Sequence, residues 1–238
     1  MTEAEIEAEG AGVVVLLRDL VPDVISRRLS GEPGTMQDEP HYEDVVAEVE
    51  AFLASVPPQV VVVLDEAYNE YLEPALRFDA VAWVRRFPNL VLSRTFSKAY
   101  GLAGLRVGYA VAQPAMTDLL NRVRQPFNVN SLALAAACAA LKDEEYLAES
   151  RRLNDAGMQQ LEAGFRALGL SWIPSRGNFL CVDLGQVAAP IFQGLLREGV
   201  IVRPVANYGM PNHLRITIGL PAENTRFLEA LSKVLARG

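Results

Sequence analysis

Apolar positions along the chain fall into two rhythms, runs that suit strands and three-to-four spacings that suit helices. Residues 60–64 are a continuous β-branched run, Val60-Val61-Val62-Val63-Leu64, as expected of a strand covered on both faces. Residues 90–92 form a second apolar run and 107–112 a third. Between the first two lies room for one helix, over about 75–87. Strand, helix, strand is a crossover unit, so these strands should be parallel. The helix before them, 42–54, carries Val45, Val49, Phe52 and Leu53 on one face and ends at Pro57-Pro58. Pro114 starts another helix. Residues 132–141 are alanine-rich and apolar nearly all round, which predicts a buried helix. A long helix follows over 143–168, with Leu147, Leu153, Met158, Leu161, Phe165 and Leu168 in phase and Gly169 as its cap.

The remainder alternates in the same way. Strands are predicted at 179–184, 200–202 and 213–218, with helices at 187–197 and 221–235. Alternation places Leu214, Ile216 and Ile218 on one face of the 213–218 strand and Arg215 and Thr217 on the other. Residues 12–17 are a possible strand and 29–40 a loop rich in glycine and proline. The pattern is that of an α/β protein.

Composition narrows the function class. Half of the 238 residues are hydrophobic, enough for one large domain or a large and a small one. The net charge is -7, with 22 basic against 29 acidic residues and no basic cluster, which argues against nucleic acid. Cys138 and Cys181 sit in apolar surroundings and read as small buried hydrophobes. His41 and His213 form no spaced cluster, so no metal site is expected. The acidic start is unlike a signal peptide, and the apolar run 13–17 is too short to span a membrane. The expectation is a cytoplasmic protein without a membrane partner.

The candidate chemistry lies at 93–109, Ser-Arg-Thr-Phe-Ser-Lys-Ala-Tyr-Gly-Leu-Ala-Gly-Leu-Arg-Val-Gly-Tyr. Hydroxyls and an arginine can hold a phosphate. Glycines admit a ligand close to the backbone. A lysine in a water-poor pocket can form a Schiff base. Pyridoxal 5'-phosphate, an aldehyde carrying a phosphate, needs all three. Ser-x-x-Lys alone is a short pattern and more often marks a surface loop with an ordinary lysine. Asp65, directly after the 60–64 run, stands where open α/β sheets place ligand-facing groups. It is also an ordinary residue to start a turn.

The whole 94–108 segment resembles the lysine segment of histidinol-phosphate aminotransferases, pyridoxal-phosphate enzymes of fold type I. The resemblance implies that Lys98 holds the cofactor covalently and then serves as general base. It also implies that Thr95, Ser97 and Arg106 hold the phosphate. Asp-Glu-Ala-Tyr-Asn-Glu-Tyr at 65–71 is similar to the family's segment in which Asp65 faces the pyridine nitrogen and Tyr68 the ring oxygen. Pro211 to Gly219 resembles the carboxylate-binding motif, which assigns Arg215 to the substrate's α-carboxylate. Ile201-Val202-Arg203-Pro204 matches a segment whose arginine binds the substrate phosphate, and Gly177-Asn178-Phe179 one in which Asn178 is near the substrate. For Arg215 and Asn178, a surface arginine and a turn residue remain the plain alternatives.

By this resemblance the chain is an incomplete pyridoxal-phosphate-binding large domain over 1–152, with 1–40 of uncertain structure, and a small α/β domain over 153–238. A longer N-terminal region and an Asn-Pro-x-x-Pro-Thr-Gly segment are expected of the family. The corresponding stretch here reads Ser30-Gly31-Glu32-Pro33-Gly34-Thr35. The implied function is transamination between histidinol phosphate and 2-oxoglutarate, with glutamate as the other product, in a homodimer. An aromatic aminotransferase or a phosphothreonine decarboxylase is a nearby alternative. A non-catalytic remnant of the fold is the alternative of another class.

Overall fold

The computed structural model describes residues 14–16 and 42–237. The loop expected at 29–40 and His41 lie outside them. The described residues form two compact units: one holds 14–16, 42–67 and 73–140, the other 68–72 and 141–237.

In the first unit, among the described residues, four strands lie in the order of the chain: β1 (Val14–Leu16), β2 (Val61–Asp65), β3 (Leu90–Thr95) and β4 (Gly108–Ala112). β1, β2 and β3 are parallel, as the crossover argument requires of β2 and β3, and β4 is antiparallel to β3. Gly108 makes that last pairing possible. A Cβ there would lie 2.7 Å from the Arg94 carbonyl oxygen on β3. Helices α1 (Tyr42–Ser55) and α2 (Ala80–Arg86) supply Leu53, Trp83 and Val84 to a core with Val62, Leu90 and Leu92. α2 is shorter than the periodicity predicts. Pro74 opens a separate 3-10 turn, and Asp79 caps the helix by accepting from the Ala82 N–H at 3.1 Å.

Helix α3 (Pro114–Val123) begins at its proline as expected, and α4 (Ser131–Ala140) follows. The expectation that the second of these is buried fails. Ala133 and Ala137 are its buried residues, whereas Leu132 is 76% and Leu134 52% exposed. An alanine-rich helix fills little space, so only the stripe against Phe96 and Val107 is covered. Cys138 rides on the open side and is exposed, a second correction.

The second unit begins its main run with α5 (Glu144–Ala167), capped by Asp143 through the Tyr146 N–H. The expected domain boundary near Arg152 falls inside this helix. Gly169 follows it at φ +69°, as a helix cap requires. Strands β5 (Ser171–Ile173), β6 (Phe179–Asp183), β7 (Arg203–Pro204) and β8 (His213–Thr217) form an antiparallel sheet in the order β5-β6-β8-β7. Helices α6 (Ala188–Arg197) and α7 (Pro221–Leu235) join α5 in covering it, around Phe165, Leu180, Leu195, Leu214 and Leu231. The strand predicted at 200–202 forms instead at 203–204. Ile201 is 85% exposed, because the chain bonds Val200 back to Leu195 before it reaches β8. No described helix is long and apolar enough to cross a membrane.

Candidate active site

The first unit gathers five of the expected residues at one end of its parallel strands. Asp65 ends β2 and pairs in register with Ser93 of β3. Its Oδ1 accepts from the Ala67 N–H at 3.1 Å and the Ser93 hydroxyl at 3.3 Å, which leaves Oδ2 available to an incoming N–H. Thr95 ends β3, and its Oγ1 accepts from the Ser97 N–H at 3.1 Å. Lys98 follows in a half-buried turn, where its carbonyl accepts from the Gly101 N–H at 2.9 Å.

Arg106 returns to the same place. Its Nη1 lies 3.5 Å from the Ser97 hydroxyl and donates to the Ala103 carbonyl at 2.9 Å. Its backbone is left-handed, φ 53° and ψ 49°, a conformation costly for any residue with a Cβ. Strain of this kind is held where the fold needs a side chain in one place. Here it points an exposed guanidinium back toward the Ser97 hydroxyl, in the turn that Thr95 also bonds, a donor set that suits a phosphate monoester.

Two residues unmarked in the sequence fix this end of the sheet. Glu66 is 8% exposed and Arg94 half-buried; Arg94 Nε and Nη2 each lie 2.8 Å from Glu66 Oε2. Burial pushes the Glu66 carboxyl above its usual range, and the Arg94 charge only partly offsets it. Arg94 is held protonated: burial opposes its charge, but the Tyr109 hydroxyl and the Glu66 carboxylate outweigh it. The pair ties β2 to β3 one residue beyond Asp65. A signal for it exists, since Glu66 and Arg94 each adjoin an apolar run, but only the register reveals that they meet.

The other expected residues lie in the second unit. Arg215 on β8 is directly opposite Arg203 on β7 and Cys181 on β6. All three therefore share the sheet face away from Leu214 and Ile216. Two arginines side by side repel, which makes this face a fit for an anion. Arg215 Nε is buried without a hydrogen-bond partner, and its guanidinium lies 4.9 Å from the centroid of the Phe179 ring. Burial pushes the Cys181 thiol up, against the pull of Arg215.

Tyr68 belongs to this unit too. Its ring meets Phe179 with centroids 5.6 Å apart at 72°. Asn178 is held by Tyr71, whose hydroxyl also engages Ser150; burial raises that hydroxyl's pKa. The Asn178 carbonyl accepts from the Ile218 N–H at 2.9 Å. Tyr71 and Phe179 are thus contacts of expected site residues that sequence reasoning did not single out. Among the described residues no cluster of histidine, cysteine or carboxylate side chains suits a metal ion.

The family model described as aminotransferase class I and II matches residues 46–231. Among curated proteins, a histidinol-phosphate aminotransferase 2 of Pseudomonas fluorescens is 78% identical over 187 residues, covering 79% of this chain and 50% of that protein. One of Pseudomonas aeruginosa is 70% identical over 188 residues, covering 79% of this chain and 51% of that one. The chain thus spans about half the length of the curated relatives it matches. Among solved structures, a histidinol-phosphate aminotransferase from Sinorhizobium meliloti in complex with pyridoxal-5'-phosphate is 28% identical, with a TM-score of 0.74. That match covers 98% of this chain and 73% of the other.

Proposed function

Because the chain belongs to the aminotransferase class I and II family, we propose that it carries the lysine, phosphate and substrate-anion segments of a histidinol-phosphate aminotransferase. The observation behind this is the convergence of Asp65, Thr95, Ser97, Lys98 and Arg106 at the carboxyl ends of β2 and β3. The donor set fits pyridoxal phosphate. When bound, the cofactor supplies an aldehyde that carries the amino group and a ring that accepts electrons.

The residues divide the remaining work. Thr95, Ser97 and Arg106 hold the phosphate. Asp65 would accept the ring N–H, and its charge would keep that proton in place. Tyr68 would hydrogen-bond the ring oxygen. Lys98 would hold the cofactor through its Nζ, and the same amine is the group that would take up and return the substrate's α-proton. Arg215 takes the α-carboxylate as a bidentate partner, Asn178 stands beside it, and Arg203 takes the substrate phosphate. The reaction is transamination between histidinol phosphate and 2-oxoglutarate, in histidine biosynthesis and in the cytoplasm.

We propose a homodimer as the working form. The face of α3 and α4 supports this reading: Val123 is 79% and Leu132 76% exposed, and Phe127 between the helices is 95% exposed. The test is glutamate formation from histidinol phosphate and 2-oxoglutarate by the purified chain, beside Lys98→Ala and Arg203→Ala. The proposal expects no turnover for Lys98→Ala. For Arg203→Ala it expects weakened affinity for the phosphorylated substrate only. Turnover that survives in Lys98→Ala sinks it.

A further inference from the structure

Phe179 touches two residues with assigned roles and has none itself. It opens β6 opposite Thr217, one pleat from the Cys181–Arg215 pair, so it shares a sheet face with Arg215. The Arg215 guanidinium lies 4.9 Å from its ring centroid. That distance suits a cation–π contact, since the ring face is negative. The same ring meets Tyr68 in a T-shaped contact at 5.6 Å and 72°. Gly177 completes the seat: a Cβ there would come within 3.3 Å of Tyr68 Cδ1. Arg215 therefore packs against a ring, while its buried Nε has no hydrogen-bond partner. A buried donor without a partner is rare in folded proteins and marks a place prepared for an acceptor.

We infer that Phe179 is a positioning residue that holds the Arg215 guanidinium and the Tyr68 ring in one stack. A carboxylate then meets a guanidinium whose plane is already fixed, and Tyr68 is placed by the same ring. This inference rests on the proposed roles of Arg215 and Tyr68. An ordinary core phenylalanine would predict something else, namely that any apolar side chain of similar volume serves.

The experiment compares wild type with Phe179→Leu, which keeps bulk and loses the ring, and Phe179→Tyr, which keeps the ring. The chain is incubated with pyridoxal phosphate and titrated with 2-oxoglutarate by calorimetry. A borohydride-stable adduct at Lys98 is measured in parallel. Before any ligand is added, the Arg215 side-chain N–H signal is read by NMR, assigned by its loss in Arg215→Lys. The expected result is a dissociation constant for 2-oxoglutarate raised roughly 2- to 30-fold in Phe179→Leu, the span of a cation–π contact. Phe179→Tyr should retain wild-type affinity. The ring-shifted Arg215 signal should move toward its random-coil position only in Phe179→Leu, and adduct yield at Lys98 should be equal in all three. Unchanged affinity and an unmoved signal in Phe179→Leu overturn the inference, as does a Phe179→Tyr variant as weak as Phe179→Leu. An affinity that falls in Phe179→Leu while wild type forms no Lys98 adduct supports Phe179 and sinks the cofactor reading instead. Wild type that shows neither adduct nor 2-oxoglutarate binding overturns both.

Discussion

Arg106 offers a test that separates backbone strain from ligand binding at one position. Arg106→Gly and Arg106→Ala both remove the contacts to Ala103 and Ser97. They differ in one respect, since alanine keeps a Cβ in the left-handed conformation at φ 53°. That conformation costs a non-glycine residue about 1–2 kcal/mol. The greater freedom of an unfolded glycine offsets about 0.5–1 kcal/mol of the relief. The glycine variant should therefore be more stable than the alanine variant by up to about 1.5 kcal/mol. If Arg106 holds the phosphate as proposed, both lose a charge-assisted contact worth about 1.5–3 kcal/mol, which is roughly a 10- to 150-fold weaker affinity for pyridoxal phosphate. Urea unfolding without cofactor gives the first quantity. Following Trp83 in a Trp172→Phe background confines the signal to the unit that holds Arg106. Fluorescence titration with pyridoxal phosphate gives the second. A glycine variant less stable than the alanine variant would refute the strain. Wild-type affinity in both would refute the phosphate role.

Three further outcomes follow from the described geometry. Arg94→Met leaves the Glu66 carboxylate buried without its cation, so at pH 7 it should cost about 3–5 kcal/mol in urea unfolding. Folding already raises the Glu66 pKa, and without Arg94 it rises further. Its stabilising share is full below the unfolded value of about 4.5 and is lost as pH climbs through the folded value. The Arg94→Met defect should therefore shrink between pH 7 and pH 5, and adding Glu66→Gln should relieve it at pH 7. Gly108→Ala pushes a Cβ against the Arg94 carbonyl oxygen and should cost about 1–3 kcal/mol in the same assay; a neutral result would mean that β4 moves freely. At pH 8, diluted until the chain is monomeric, an aromatic disulfide reagent should label exposed Cys138 before Cys181, whose thiol burial holds above its usual pKa; the reverse order contradicts the placement of Cys181.

The legible parts of the chain were those where local pattern and burial agree. Residues 60–64 form a strand because a β-branched run suits a position covered on both sides. Residues 221–235 form α7 over the full predicted range, because Pro221 starts a turn that Glu223 caps through the Leu220 N–H. Residues 200–202 misled because apolarity alone suggested a strand. Pairing to β8 is available two residues later, and Ile201 is left in solvent. Residues 132–141 misled because alanine counts as apolar yet buries little. At the candidate site, the sequence marked each motif but not which residues meet. That Arg203 and Arg215 lie side by side, that Glu66 pairs with Arg94 and that Phe179 stacks on Arg215 are facts of register. A single sequence does not carry register between strands far apart in the chain.

The most direct test of the central claim is the position of a borohydride-trapped pyridoxal phosphate adduct, read by peptide mass spectrometry. Lys98, Lys142 and Lys233 are the lysines of the chain, so the result is unambiguous. Lys142 is exposed, and Lys233 is held by Glu198 at 2.6 Å. The account predicts a stoichiometric adduct on Lys98 that disappears in Lys98→Ala. Folded protein with no adduct, or with labelling spread over Lys142 and Lys233 and untouched by Lys98→Ala, would contradict it.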